Sequence, residues 1–153
     1  SDPAIRSLNI FVGLFDRYFG EEFRSQNQRN IYIKQLLEKG GRKVSLAAVA
    51  KMVARFRSDT LGDNTRHDWT TGDQFEVDLH SREIERALNY TGAKPRSNLK
   101  KAKLQAEMLR KRAVSREQLE FRIISSAQAV TNLFPAREQS GTARKRGLRK
   151  AGG

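Results

Sequence analysis

Residues 94–135 read KPRSNLKKAKLQAEMLRKRAVSREQLEFRIISSAQAVTNLFP, and the fold turns on how this stretch divides. Its second half carries a helix start: Ser115 and Gln118 have the spacing of a capping box, and Val114 with Leu119 that of the hydrophobic staple that often accompanies one. Leu119, Ile123, Ala127, Val130, Leu133 and Phe134 then form one apolar stripe, which Pro135 ends. Upstream, Leu99, Ala102, Ala106 and Leu109 share a side of a helix over about 98–112. The predicted unit, 91–135, is a helical hairpin, dry where its two stripes meet and cationic outside.

The cations set the functional question. Lys94, Arg96, Lys100, Lys101, Lys103, Arg110, Lys111 and Arg112 surround a single acid, Glu107. A solvated helix face usually mixes signs, and uncompensated like charges on a helix cost stability. A phosphate backbone suits such a surface, because each neutralised phosphate releases condensed counterions.

The rest of the chain sharpens the asymmetry. Of the net charge of +13, residues 1–90 supply only +1, from 14 basic and 13 acidic side chains. Residues 91–153 supply +12, from 16 basic and 4 acidic. Such imbalance points to nucleic acid or an acidic surface. The tail, 136–153, adds Arg137, Arg144, Lys145, Arg146, Arg149 and Lys150 against Glu138 alone, with almost nothing to bury. It is expected to be disordered when alone and to contact backbone phosphates rather than read bases.

Residues 1–90 read as a mainly α body. Asp2-Pro3 suits a helix start; Ile5, Leu8, Val12, Phe15 and Phe19 recur at helical spacing, and Gly20 ends the run. A second helix lies near 28–38 and closes at Gly40-Gly41. Ser45 caps a third, in which Leu46, Val49, Met52, Val53 and Phe56 share one side while Lys51 and Arg55 face away. Phe75, Val77 and Leu79 alternate as in a half-buried strand, so a short hairpin near 66–79 is expected before a helix at about 81–90. The same stretch also matches a helix capping box at Thr71 and Gln74.

Three helices and a hairpin in this order resemble a winged helix, with Arg42 and Lys43 near phosphates and the third helix as reader. The long turn after Lys39 and an exposed face without Asn, Gln, Ser or Thr favour an ordinary three-helix core. Trp69, in a polar loop, either stacks on a base or covers the hairpin.

Chemistry is not signalled. With no Cys, thiolate metal sites, Cys nucleophiles and disulfides are excluded, and a reducing, intracellular setting is expected. His67 and His80 lack ligand spacing. The loop acids Asp59, Asp63, Asp68, Asp73, Glu76 and Asp78 match no hydrolytic or Ca²⁺-binding motif. No run approaches the roughly 18 apolar residues of a membrane span, and the first helix reads as core rather than as a signal peptide.

The sequence thus predicts a non-catalytic nucleic-acid-binding protein without metal, cofactor, membrane or small-molecule substrate. Phosphate contact falls to the basic helix and tail, and any base readout to Lys51, Arg55 or Trp69. The alternative is a subunit of a homo-oligomer or larger nucleoprotein assembly.

Overall fold

The Asp2 carboxylate accepts a hydrogen bond from the Ala4 amide at 2.8 Å, and Pro3 takes the first turn, where a missing N–H costs nothing. Helix α1, Pro3–Phe19, starts here. The computed structural model describes residues 2–60, 69–92 and 94–134. Among them it contains four further α-helices and no strand: α2 (Gln26–Lys39), α3 (Leu46–Thr60), α4 (Thr71–Leu88) and α5 (Asn98–Leu133). A 3₁₀ turn, Gly20–Glu22, follows α1.

Helix α1 is the axis of the fold. Residues 12–16 are all buried, because α3, α4 and α5 pack around it. A helix covered on several sides needs apolar residues on more than one face, as IFVGLF supplies. One core cluster joins Leu8, Phe15 and Phe19 of α1 to residues of every other helix. Helix α5 adds Leu119, Ile123, Ala127 and Val130, all buried; the larger ones contribute about 1.5–3 kcal/mol each.

Two crossings depend on glycine. A Cβ on Gly13 would fall inside the Phe56 ring of α3. A Cβ on Gly40 would lie 2.5 Å from both the Ala127 Cβ and the Ile124 carbonyl oxygen of α5. Gly41, at φ +87°, then turns the chain out of α2, and the Thr131 hydroxyl donates to the Gly40 carbonyl at 3.1 Å.

The expected hairpin does not form over 71–79; these residues begin α4. The capping box sits one residue earlier than the sequence pattern placed it. Thr70 Oγ1 accepts from the Asp73 amide at 3.0 Å, and Asp73 accepts from the Thr70 amide at 2.9 Å. The strand-like alternation misleads because Val77 is buried whereas Phe75 is 67% exposed. Asp73, Val77 and Ile84, the buried positions of α4, follow a helical period. Residues 66–68 lie outside those described.

The helical hairpin is also corrected. Residues 98–133 are one continuous helix, and Ser115, expected at a cap, is buried mid-helix. No Gly or Pro interrupts 98–133, so each residue added to the helix gains a hydrogen bond that a local cap cannot match. A second reason is electrostatic. Arg112 and Arg116, on either side of the expected turn, both bind Glu22, at 2.7 and 2.6 Å. Leu99 and Leu109, expected to pack on the second arm, are therefore 68% and 69% exposed.

Arg116 is the principal tie between α5 and the body. It also pairs with Glu120 at 2.9 Å and lies 5.1–5.6 Å from the ring centres of Phe15, Phe23 and Tyr32. Burial pulls its pKa down, but hydrogen bonds with Glu120, Glu22 and Tyr32 more than offset this and leave it raised.

Nearby, burial and a 2.8 Å hydrogen bond to Glu120 raise the Tyr32 pKa. Tyr18 is raised too, by burial first and by its hydrogen bond to Glu85. A phenol with a raised folded pKa stabilises the fold fully below its unfolded value of about 10 and loses that contribution as pH climbs through the folded value. Ultraviolet titration should thus show two late phenols, one of which Tyr32→Phe removes; ionisation of both at the ordinary value contradicts this packing.

Candidate nucleic-acid interface

The cations singled out in the sequence divide into two classes. Lys94, Arg96, Lys100, Lys101 and Lys103 are exposed around the start of α5. With Lys111 they form no ion pair among the described residues. Ser97 caps this start by accepting from the Lys100 amide at 3.1 Å. Arg110 meets Glu107 only at 3.4 Å and is itself well exposed.

Other cations are occupied. Arg112, expected to contact phosphate, is held by Glu22 and lies 5.5 Å from the Phe19 ring centre. Arg122 binds Glu83 at 3.1 Å and His80 at 2.6 Å. From Arg112 onward α5 thus spends its arginines on the body, and its first turns keep their lysines outward.

A groove of about 590 Å³ runs between α4 and α5. Arg86, Tyr90, Arg110, Lys111, Val114 and Arg122 contribute to its walls. The Lys111 ammonium sits 4.5 Å from the Tyr90 ring centre, a cation–π contact that holds the charge at the rim without cancelling it. Sequence reading missed Arg86, which is exposed and joins the groove because α4 packs beside α5.

A second cleft gathers residues that the sequence separates. Lys51 and Arg55 of α3, one turn apart, line a cavity of about 450 Å³ with Trp69 and Arg6. Its floor includes Met52 and Phe56, and the Trp69 ring meets Phe56 edge-on with centres 5.7 Å apart. Arg6 binds Asp73 at 3.1 Å, so the acid in this cleft is already engaged by a cation. Trp69 is half-buried against the core.

Arg42 is half-buried and Lys43 exposed in the turn between α2 and α3; no pocket described above includes them. Arg144, Lys145, Arg146, Arg149 and Lys150 lie outside the described residues, as do His67, Asp63 and Asp68. Of the acids considered for metal chemistry, Asp73 is spent on the helix cap and Arg6, and Asp78 on Gln74 at 3.0 Å. Among the described residues, no cluster of three or more His, Asp or Glu side chains is placed to hold a metal. Nor is any described helix long and apolar enough to cross a membrane.

Compared with known proteins, the chain matches no family model, no curated protein and no solved structure.

Proposed function

We propose that this protein binds nucleic acid without catalysis, chiefly through sequence-independent phosphate contacts. One observation carries the reading: Lys94, Arg96, Lys100, Lys101, Lys103 and Lys111 lack a carboxylate partner among the described residues, whereas Arg112, Arg116 and Arg122 farther along α5 have one. Like charges gathered on a rigid helix repel one another, and a polyanion relieves that cost while its counterions are released. The groove lined by Arg86, Arg110 and Lys111 extends the cationic surface onto α4. The basic residues of the tail, Arg144 to Lys150, act as a further arm in this reading.

Fluorescence anisotropy with single- and double-stranded DNA and RNA at two salt concentrations tests it. Binding to several unrelated sequences, weakened by salt, is expected; indifference to all four polymers overturns the proposal.

A second reading has its own observation. Leu99, Leu109 and Phe121 are each more than two-thirds exposed along α5, which suits contact with another protein subunit in a nucleoprotein assembly. Size-exclusion mass before and after nuclease treatment separates the two. An oligomer unchanged by nuclease favours assembly, and a nuclease-sensitive shift favours binding.

A further inference from the structure

We infer that the groove between α4 and α5 takes an unpaired segment of a nucleic-acid strand, with a base on the Tyr90 ring and its phosphates on Arg86, Arg110 and Lys111. This rests on the nucleic-acid reading above and deepens it, because it names the form of the ligand: single strands and frayed ends.

Tyr90 is held in place by the turn that joins the two helices. Gly92, at φ +60°, makes that turn. A Cβ there would lie 3.3 Å from the Tyr90 hydroxyl oxygen and 2.5 Å from Leu104 of α5, so the chain closes over the phenol only with glycine. The ring is half-buried and lines the groove. The Lys111 ammonium lies 4.5 Å from its centre. A cation–π contact at the surface is weak, and a phosphate oxygen is the stronger partner for an ammonium. An arriving strand therefore draws Lys111 off the ring and leaves the ring face to a base.

Charge fits the same ligand. Arg86 is exposed and forms no ion pair among the described residues. Arg110 touches Glu107 only at 3.4 Å, and its side chain is 70% exposed. Glu83 is the one acid among the residues that line the groove. Arg122 holds it at 3.1 Å, so its charge is already offset when a phosphate approaches.

The lining then separates strand from duplex. A track for phosphates alone needs no apolar surface, yet Ala87 and the 46% exposed Val114 lie among these cations. A duplex keeps its bases stacked inside and its phosphates outside, so it reaches the rim of the groove but not Tyr90. A single strand can swing a base inward, and stacking on an aromatic ring accepts any base. The groove, about 590 Å³, lies within the roughly 300–1,000 Å³ of small-molecule sites, which suits one nucleotide. The lysines at the start of α5 serve the phosphates that follow.

Anisotropy of the full chain with a labelled single strand, and with a duplex of equal length at the same salt, tests the assignment. Tyr90→Leu should weaken single-strand binding about tenfold and change duplex binding by less than about twofold. Tyr90→Phe keeps the ring and should match the parent. Arg86→Ala should make the salt dependence of single-strand binding shallower by about one. Melting temperatures check that each variant folds. On the parent chain, ultraviolet cross-linking of a strand carrying bromodeoxyuridine, mapped by mass spectrometry, should mark Tyr90, and the same label within a duplex should not.

If a folded Tyr90→Leu variant leaves both affinities unchanged or lowers them equally, the groove assignment is overturned and the phosphate reading stands. Cross-links from the single strand that fall only elsewhere overturn it in the same way. A parent chain that binds neither polymer overturns both.

Discussion

An Asp16→Ala variant melts lower than the parent by on the order of 10 °C, among the larger effects expected from a single substitution in this fold. Asp16 lies in the middle of α1 and is 4% exposed. Its carboxylate accepts from Arg29 at 2.5 Å and from Arg57 at 2.9 and 3.1 Å. Arg29 is itself buried, and its remaining described partner is the neighbouring Asn30 side chain. Removing the carboxylate therefore strands a guanidinium out of reach of water, at a cost of about 3–5 kcal/mol.

Arg57→Ala is a useful contrast, because half of that side chain faces solvent and Arg29 still neutralises Asp16. Its cost should be about 1 kcal/mol. Thermal and urea unfolding followed by circular dichroism measure both. An Asp16→Ala variant within about 0.5 kcal/mol of the parent contradicts the account of this triad.

Replacing Lys100, Lys103 and Lys111 together by Ala has the opposite profile: it leaves the fold intact and weakens binding. The first two side chains are exposed, Lys111 is half-exposed, and none of the three forms an ion pair among the described residues. Ala is the better helix former, so the melting temperature stays level or rises. Affinity falls by a similar factor for unrelated nucleic acids, because phosphate contacts carry no sequence information. The dependence of log K on log salt becomes shallower by about 2 to 3, close to one for each cation removed. An unchanged slope means that these lysines do not meet phosphate.

Much of the body could be read from residue types. Asp2 and Ser45, the two caps expected from the sequence, each accept from an amide at the start of a helix, and the apolar side of α3 is the one that packs. Local chemistry of this kind leaves little choice. The errors came where two local signals competed. Around Ser115, a cap and staple matched a helix start, yet the same residues are good helix formers, and Glu22, far away in sequence, binds Arg112 and Arg116 together. Around Phe75, alternation matched a strand, yet one apolar residue of the three is buried and the Thr70–Asp73 cap commits the chain to helix.

The candidate interface was legible to a similar depth. The concentration of lysines at the start of α5 follows from charge counting, and their lack of acid partners agrees with it. That Arg112 is occupied was not readable, since its partner lies some ninety residues earlier in the chain. The meeting of Lys51, Arg55 and Trp69 in one cleft required the packing of α3 against α1. Arg86 falls in the helix expected at about 81–90, but its place in the groove depends on the packing of α4 beside α5.

The affinity of the unmodified protein for one labelled oligonucleotide, measured over a series of salt concentrations, tests the central claim most directly. A straight and steep decline of log K with log salt is predicted, corresponding to several phosphates neutralised at about 0.9 each. A flat line, or no binding near physiological ionic strength, would contradict it.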